Sequence, residues 1–230
     1  MRTLVIPDIH NKVVLAQRIL DNNPADQRVF LGDIYDDFGD SPNIVREVAR
    51  WHKEQLCDLR NVFLFGNHDM QYAFKGNAFL RCTGYSEAKG LAIKDVMAPG
   101  DWALHRLYIM VDGWLLSHAG LHGSLFQDRT SSAFEFLPRQ CDIAIGAAKA
   151  YSHHPLINAG WRRGGRNSVG GLTWLDWDYE FQPIPGLRQL VGHTPHDTPQ
   201  EKSGNWCIDT HLKHAAIIED GNLEIFEVGA

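Results

Sequence analysis

Apolar runs alternate with segments of helical spacing along the N-terminal third of the chain. The stretches TLVIPDIH, RVFLGDIYDD and NVFLFGNHD each contain a short apolar run, which is typical of a buried strand. KVVLAQRIL has helical spacing, and SPNIVREVARWHKEQLC begins with Ser41 as N-cap and Pro42 at the first helical position. The pattern predicts a β-α-β-α-β order with parallel strands and helical crossovers.

The middle of the chain is predicted to contain a hairpin and a long helix. HRLYIMVDGWLLSHAG is predicted to form two strands joined at Asp112-Gly113, because Asp-Gly is a strong hairpin signal. Residues 75–104, before this hairpin, are predicted to contain helices and loops. A helix is predicted from Ser131 to about Tyr151, although Pro138 interrupts its pattern.

The C-terminal third is predicted to be rich in strands after an ordered loop at residues 158–177. Four strands are predicted in LRQLVGHT, NWCIDTH, HAAIIEDG and NLEIFEVG, with a turn at residues 220–222 between the last two. The predicted fold is therefore α/β, with two mixed sheets packed face to face and helices outside. We expect residues 1–230 to form a single domain.

Composition excludes several classes of protein. Hydrophobic residues make up 44% and charged residues 22% of the chain, as in an ordinary soluble globule. No apolar run approaches the ~20 residues that span a bilayer, and the N-terminal run is too short for a signal-peptide core. The four cysteines lie far apart without a C-x-x-C pair, so we expect neither a zinc finger nor a redox pair. Their mostly apolar settings favour reduced thiols and a cytoplasmic location.

The net charge of −6 argues against a general nucleic-acid binder, which would need a basic face. It does not exclude phosphorylated substrates, because a bound metal can reverse the local field. We therefore expect neither a nucleic acid nor a membrane as a partner. The oligomeric state stays open.

Polar side chains follow five predicted strands at the point where each strand ends. They are Asp8 and His10, Asp33 and Asp36, Asn67, His68 and Asp69, His118, and His193. Because the carboxyl ends of parallel strands meet at one crevice, we expect these side chains to lie together. Their oxygen and imidazole donors, without a thiolate, suit Mn, Fe, Zn or Mg ions. Burying so many of them without cations would be costly.

The five motifs, in this order, resemble those of the calcineurin-like metallophosphoesterases. The order is D-x-H, G-D-x-x-D, G-N-H-D, a histidine near glycine, and G-H, from Asp8 to His193. The resemblance is greatest to the phosphoprotein-phosphatase branch, which includes bacteriophage and bacterial serine/threonine phosphatases and the symmetrical diadenosine tetraphosphatases. The strand-turn-strand pattern at the C-terminus is also similar, so the resemblance covers nearly the whole chain.

The resemblance implies two divalent metal ions, with manganese expected first and iron, zinc or magnesium as alternatives. The implied ligands are Asp8 and His10 for the first ion, Asp33 as the bridge, and Asn67, His118 and His193 for the second. His68 matches the histidine that protonates the leaving oxygen, and Asp36 matches the acid that orients it. A hydroxide that bridges the two metals would attack phosphorus.

The resemblance implies a phosphoesterase that hydrolyses phosphate monoesters, with phosphoserine or phosphothreonine in proteins as one substrate class. A hydrolase of dinucleoside polyphosphates or nucleotides is the alternative enzyme. A non-catalytic metal-binding scaffold is the alternative of another class. The presence of both His68 and Asp36 argues against a scaffold, because a scaffold needs no proton donor.

Two motifs depart from the family pattern. Pro7 and Asn11 replace the glycines around the first motif, while Asp37 and Phe38 replace an arginine and a glycine in the second. The arginine helps relatives to bind phosphate, whereas an acid would repel it. Asp37 is therefore expected either to face the phosphate site or to point to solvent.

The segment GWRRGGR offers replacement cations for phosphate binding. Its arginines are Arg162, Arg163 and Arg166, and the forked donors of guanidinium groups suit phosphate. We expect at least one of them to contact substrate. Asp40 is expected to be a solvated loop acid, and His196 is left out of the ligand set.

Overall fold

The computed structural model describes residues 1–125 and 133–229. The α-helices in this part of the chain are α1 Val13–Asn22, α2 Pro42–Leu56, α3 Asn67–Ala73, α4 Glu87–Lys94, α5 Pro99–Trp102 and α6 Ala133–Lys149. Short 3-10 helices lie at Ala78–Leu80, Gly123–Leu125, Pro155–Ile157 and Trp161–Arg163. None of the helices described is both long and apolar enough to cross a bilayer.

The strands form two mixed sheets of five strands each. They are β1 Thr3–Ile6, β2 Gln27–Phe30, β3 Asn61–Phe63, β4 Tyr108–Val111, β5 Trp114–Ser117, β6 Arg188–Val191, β7 Gln200–Lys202, β8 Asn205–Cys207, β9 His214–Glu219 and β10 Asn222–Glu227. The first sheet has the order β10-β9-β1-β2-β3, and the second has the order β4-β5-β6-β8-β7. Parallel pairing joins β1, β2 and β3 in the first sheet and β5, β6 and β8 in the second.

Alternate residues of β1 face two different apolar layers. Val5 of β1 packs with Leu116 of β5 and Leu190 of β6, so this layer lies between the sheets. Leu4 and Ile6, on the other face of β1, pack in the layer beneath the helices. The prediction of two sheets packed face to face with helices outside is confirmed.

Local signals in the sequence produce the predicted elements. The hydroxyl of Ser41 accepts a hydrogen bond from the Ile44 N–H at the start of α2. Asp112 and Gly113 both have positive φ, at 45° and 82°, which suits the hairpin turn between β4 and β5. Helix α6 continues through Pro138, and the Ser131 end of that prediction lies outside the described residues.

The short strand β7 was not predicted. Its three residues, QEK, are all polar and only partly buried at most, so they carry no apolar signal. It lies at one edge of its sheet and pairs with β8 alone. Backbone pairing with a neighbour, rather than a side-chain pattern, therefore determines this element.

A buried chain of polar groups crosses the helical layer next to the second motif. The Tyr35 hydroxyl lies 2.9 Å from Nδ1 of His52, and Nε2 of His52 lies 2.9 Å from Nε2 of His105. Burial lowers the pKa of His52 well below its ordinary value and lowers that of His105 to about 4. Both imidazoles are therefore neutral in the fold at neutral pH.

Acid is expected to destabilise the protein through this histidine pair. The unfolded chain binds protons that the fold excludes, so the free energy of unfolding falls as pH drops from about 6.5 towards 4. His105 alone should cost about 2 kcal/mol between pH 7 and pH 5. Urea unfolding of the metal-free protein at both pH values measures this loss. His105→Gln should show a smaller loss, and an unchanged loss would contradict the explanation.

Candidate metal centre and catalytic site

Two groups of metal-ligating side chains lie at the carboxyl ends of the strands, and Asp33 belongs to both. One group contains Asp8, His10 and Asp33, and the other contains Asp33, His118 and His193. Within each group, one possible ligand atom per residue lies within 4.8 Å of the others. Every member is buried except His10, which is partly exposed. The shared carboxylate therefore lies between two candidate cation sites.

Glycines in the motifs let the loops approach these carboxylates closely. A Cβ on Gly66 would lie 2.0 Å from Oδ1 of Asp33, and a Cβ on Gly192 would lie 2.0 Å from Oδ1 of Asp8. Gly32 has a φ of 108°, and a Cβ there would lie 2.3 Å from the backbone nitrogen of Gly66. A side chain at any of these positions would push the loops apart.

Asp69 fixes the loops that carry the second and third motifs. Its Oδ2 accepts hydrogen bonds from the N–H groups of Asp33 and Gly66, at 2.8 and 2.9 Å, and its Oδ1 accepts from Ile34 at 2.9 Å. Burial and the nearby Asp33 raise the pKa of Asp69 to about 7. The sequence places Asp69 at a strand end but indicates no role for it. In the structure its carboxylate holds the two loops together through these three hydrogen bonds.

The imidazole of His118 lies at the centre of the second group. Its Nδ1 lies 3.0 Å from the Leu31 carbonyl oxygen, so Nε2 is the nitrogen that faces the group. Nε2 lies 3.1 Å from Oδ1 of Asn67, 3.1 Å from Nδ1 of His193 and 3.4 Å from Oδ2 of Asp33. Several lone-pair donors thus converge on one small region, as a cation site requires.

The charges around His118 and His193 also suit a cation. Burial lowers the pKa of His118, but Asp33 and Asp8 outweigh it and raise that pKa to about 9. Burial and the neighbouring His118 lower the pKa of His193 well below its ordinary value. The field therefore attracts positive charge, while a neutral His193 can offer a lone pair to a metal.

The first group places the carboxylates of Asp8 and Asp33 close to each other and to His10. His10 Nδ1 lies 2.6 Å from the Asp36 carbonyl oxygen, which orients its Nε2 towards Asp33, 3.8 Å from Oδ2. Burial and Asp209 raise the pKa of Asp8 well above its ordinary value. So many buried carboxylates need positive charge to offset them. The residues of both groups therefore fit divalent ions.

His68 and Asp36 lie beside the two groups and contact each other. Nδ1 of His68 lies 2.9 Å from Oδ2 of Asp36, and the His68 N–H donates to Oδ1 of Asp33 at 2.9 Å. Burial lowers the pKa of His68, but Asp33 and Asp36 outweigh it and raise that pKa well above its ordinary value. Because Asp36 holds Nδ1, Nε2 is the ring nitrogen that can serve a substrate.

Three further donors hold the Asp36 carboxylate. Gln71 Nε2 donates to Oδ2 at 2.6 Å, while the Tyr72 hydroxyl and Lys89 Nζ both donate to Oδ1 at 2.6 Å. Burial raises the pKa of Asp36, but its bonds to His68, Lys89 and Tyr72 lower it overall. We call Asp36 with Gln71, Tyr72 and Lys89 the Asp36 cluster. It keeps the carboxylate ionised and fixed.

The sequence model of the calcineurin-like phosphoesterase family matches residues 1–197. The chain belongs to the calcineurin-like phosphoesterase family. Members of this family are hydrolases that act on phosphoric esters and use divalent metals. The resemblance drawn from the five motifs is therefore confirmed, and so is the expected class of enzyme. No curated protein matched the sequence.

Solved phosphoesterases of this fold are similar to the chain over nearly its whole length. A cold-active protein-tyrosine phosphatase from a Shewanella species has a TM-score of 0.64 at 17% identity, covering 98% of this chain and 80% of that one. A serine/threonine phosphatase from Saccharomyces cerevisiae has a TM-score of 0.57 at 14% identity, covering 99% and 80%. A putative diadenosine tetraphosphatase has a TM-score of 0.53 at 16% identity, covering 98% and 93%. At such identities the likeness shows the fold alone.

A cleft lies above the strand ends, and we call it the catalytic cleft. Its volume is about 760 Å³. It is lined by His10, Asp33, Asp36, Asn67, His68 and His193, together with Lys12, Arg81, Arg163, Trp174, Asp209 and His211. Asp209 follows β8, so the strand-end rule applied to the first five motifs would have found it. Lys12 and Arg81 belong to no motif, so no pattern in the sequence points to them.

The structure separates the three arginines predicted to contact substrate. Arg163 lines the cleft, with Nε 2.8 Å from Oδ2 of Asp176 and Nη2 donating to the Thr194 hydroxyl at 3.0 Å. Arg162 stacks on the Tyr179 ring, with its guanidinium 4.6 Å from the ring centroid. Neither Arg162 nor Arg166 lines the cleft. Only Arg163 is therefore in a position to meet a substrate.

Asp37 and Asp40 have partners that the sequence did not indicate. Asp37 lines the cleft, and its Oδ2 lies 3.3 Å from Nζ of Lys12. It therefore faces the phosphate site, as one of the two alternatives expected, but the ammonium of Lys12 offsets its charge.

The prediction that Asp40 is a solvated loop acid was wrong. Its side chain is 10% exposed and accepts from Lys89 and Asn11, both at 3.1 Å. Lys89 lies 49 residues away, which hides the contact in the sequence.

Lys89→Met is expected to lower the free energy of unfolding by about 3 kcal/mol, because Asp36 and Asp40 would stay buried without their cation. Lys89 is 7% exposed at its side chain, so little water can replace the ammonium. Lys53→Met is the matched control. Lys53 pairs with Asp101 at 3.1 Å but is 45% exposed, so its loss should be below about 1 kcal/mol. Equal losses in urea unfolding would contradict a special role for Lys89.

Proposed function

We propose that the chain hydrolyses phosphate monoesters with two divalent metal ions that share Asp33. The observation that supports this most strongly is the membership of Asp33 in both groups of possible ligands, beside the His68–Asp36 pair. The proposed ligands are Asp8, His10 and Asp33 for one ion and Asp33, Asn67, His118 and His193 for the other. Manganese is the proposed metal, since oxygen and imidazole donors suit it.

The chain's own residues would position the ester and move its proton. When bound, two metal ions would clamp the phosphate and acidify a water. Arg163 would hold a phosphate oxygen through its guanidinium, which Asp176 and Thr194 orient. His68 would donate its Nε2 proton to the leaving oxygen, and Asp36 would fix the imidazole through Nδ1.

Serine/threonine protein phosphatase activity is the leading proposal for substrate class. Phe38 lines the cleft and is fully exposed, so a folded partner that presents a phosphorylated side chain would have an apolar contact beside the cleft. We propose phosphorylated proteins or small esters as partners rather than nucleic acids, given the net charge of −6. A cytoplasmic location is proposed because the four cysteines are free thiols.

Hydrolysis of dinucleoside polyphosphates or nucleotides is the second candidate. The cations of Lys12 and Arg81 line the cleft in addition to Arg163, which would suit a substrate with more than one phosphate. Trp174 also lines the cleft and offers a ring for a base to stack on. A metal-binding scaffold is less well supported, because the Asp36 cluster holds a proton donor that a scaffold would not need.

A panel of substrates with Mn²⁺ tests the proposed function. It contains phosphoserine and phosphothreonine peptides, diadenosine tetraphosphate, nucleotides and a chromogenic aryl phosphate. Release of phosphate from peptides, abolished by a chelator, is the expected result. Preference for diadenosine tetraphosphate would select the second candidate. No hydrolysis of any member by metal-loaded protein would favour the scaffold.

A further inference from the structure

A second cleft lies among the helices, away from the strand ends. Its volume is about 600 Å³, and residues of α3, α4, α5 and the C-terminal end of α6 line it. It shares no lining residue with the catalytic cleft. Ile93, Met97 and Trp102 give it an apolar surface and are themselves almost wholly buried. The proposed mechanism uses none of these three residues.

Lysines supply the charge on the wall of the second cleft. Lys75, Lys94 and Lys149 line it, and no carboxylate among the described residues does so. Lys75 pairs with Glu87, whereas Lys94 and Lys149 have no carboxylate partner in the part of the chain described. Lys94 and Lys149 each lie in the last turn of a helix, and two ammonium groups without carboxylate partners beside an apolar surface complement an anion with an apolar body.

Tyr72 is shared by the second cleft and the Asp36 cluster. Tyr72 lines the cleft, and its hydroxyl donates the 2.6 Å hydrogen bond to Oδ1 of Asp36. Tyr72 therefore connects the second cleft to the carboxylate that contacts His68.

We propose that the second cleft binds a small anion with an aromatic or aliphatic body and that this binding alters catalysis through Tyr72. The anionic group, a carboxylate, sulfonate or phosphate, pairs with Lys94 and Lys149. The apolar body packs against the apolar wall of the cleft, which contains Ile93, Met97 and Trp102. The binding step does not depend on the proposed function, whereas the effect on turnover rests on it.

Fluorescence titration with anilinonaphthalene sulfonate, an anionic aromatic probe, tests the binding step. The full chain is used, loaded with Mn²⁺ and held in excess inorganic phosphate so that the catalytic cleft is occupied. Saturable binding is expected, and Lys94→Glu with Lys149→Glu should weaken it about tenfold by reversing two charges. The matched control, Arg18→Glu with Lys213→Glu, reverses two exposed cations that do not line the cleft and should change affinity less than about twofold. Equal affinity in the two double variants, or no binding, would overturn the site.

Turnover of an alkyl phosphate at increasing probe concentration tests the coupling, because its poor leaving group needs the proton of His68. In the parent protein kcat should change by about twofold or more at constant KM once the second cleft is saturated. Tyr72→Phe keeps the ring and lacks the hydroxyl. This variant should still bind the probe, but its own kcat should be the same with and without the probe. An unchanged kcat in the saturated parent would overturn the coupling. A rise in KM alone would place the probe in the catalytic cleft and would likewise overturn it.

Discussion

Asp33→Asn is expected to reduce phosphate-ester hydrolysis about 10³-fold or more. The amide keeps the shape of the side chain but carries no charge, so it would offset the charge of two cations far less well than the carboxylate does. A metal centre supplies several kcal/mol of stabilisation to the transition state, and about 4 kcal/mol corresponds to about 10³-fold in rate. Steady-state rates of an aryl phosphate with saturating Mn²⁺ measure the loss.

Asn67→Ala is the control for this prediction. Asn67 lies 3.1 Å from Nε2 of His118 and belongs with the second group alone. It should weaken only one of the two proposed sites, so added Mn²⁺ should restore much more activity to Asn67→Ala than to Asp33→Asn. If both variants recover equally at high Mn²⁺, Asp33 has no special place between the sites.

His68→Asn is expected to lose roughly 10²–10⁴ in kcat on alkyl phosphates while keeping its metals. An alkoxide is a poor leaving group and needs the proton that His68 supplies. An aryl phosphate leaves as a stabilised phenolate, so its hydrolysis should fall much less. The ratio of alkyl to aryl rates is therefore the measurement that separates proton donation from a structural role.

Asp36→Asn provides the graded comparison. The amide keeps a contact with Nδ1 of His68 but loses the charge that Lys89 and the other donors stabilise. Its alkyl-to-aryl ratio should fall in the same direction as that of His68→Asn and by a smaller factor. Equal losses on both ester classes in His68→Asn, with the metals intact, would contradict the proton-donor role. Loss of a metal from His68→Asn would make His68 a ligand instead.

The sequence predicted the fold well wherever a side-chain pattern determines an element. The apolar run before Asp33 and the Ser41 cap became β2 and the start of α2. The polar strand β7 could not be predicted this way, because only its pairing with β8 determines it.

The strand-end residues could also be predicted to meet, since parallel strands bring their ends to one edge. Asp8, Asp33 and His193 are brought together from three strands, as expected. The supporting residues were harder to predict. Lys89 lies on a helix in a stretch without a clear pattern, 53 residues from Asp36, so only the folded chain reveals their contact. Asp209 did have a signal, because it follows a predicted strand.

The arginine segment shows where composition misleads. Arg162 and Arg163 are adjacent and chemically identical, yet one stacks on Tyr179 and the other lines the cleft. The direction of each side chain depends on the 3-10 turn at Trp161–Arg163, which the glycine-rich sequence did not indicate. The residue type therefore indicates a phosphate-binding group, but the local backbone geometry decides which arginine lines the cleft.

Metal stoichiometry tests the central claim most directly. The parent protein and Asp33→Asn, each equilibrated with Mn²⁺ and freed of loosely bound ions, are compared by elemental analysis under identical conditions. The shared-carboxylate arrangement predicts two ions per chain in the parent and fewer than one in Asp33→Asn. Two full equivalents retained by Asp33→Asn, or a single ion in the parent at saturation, would contradict it.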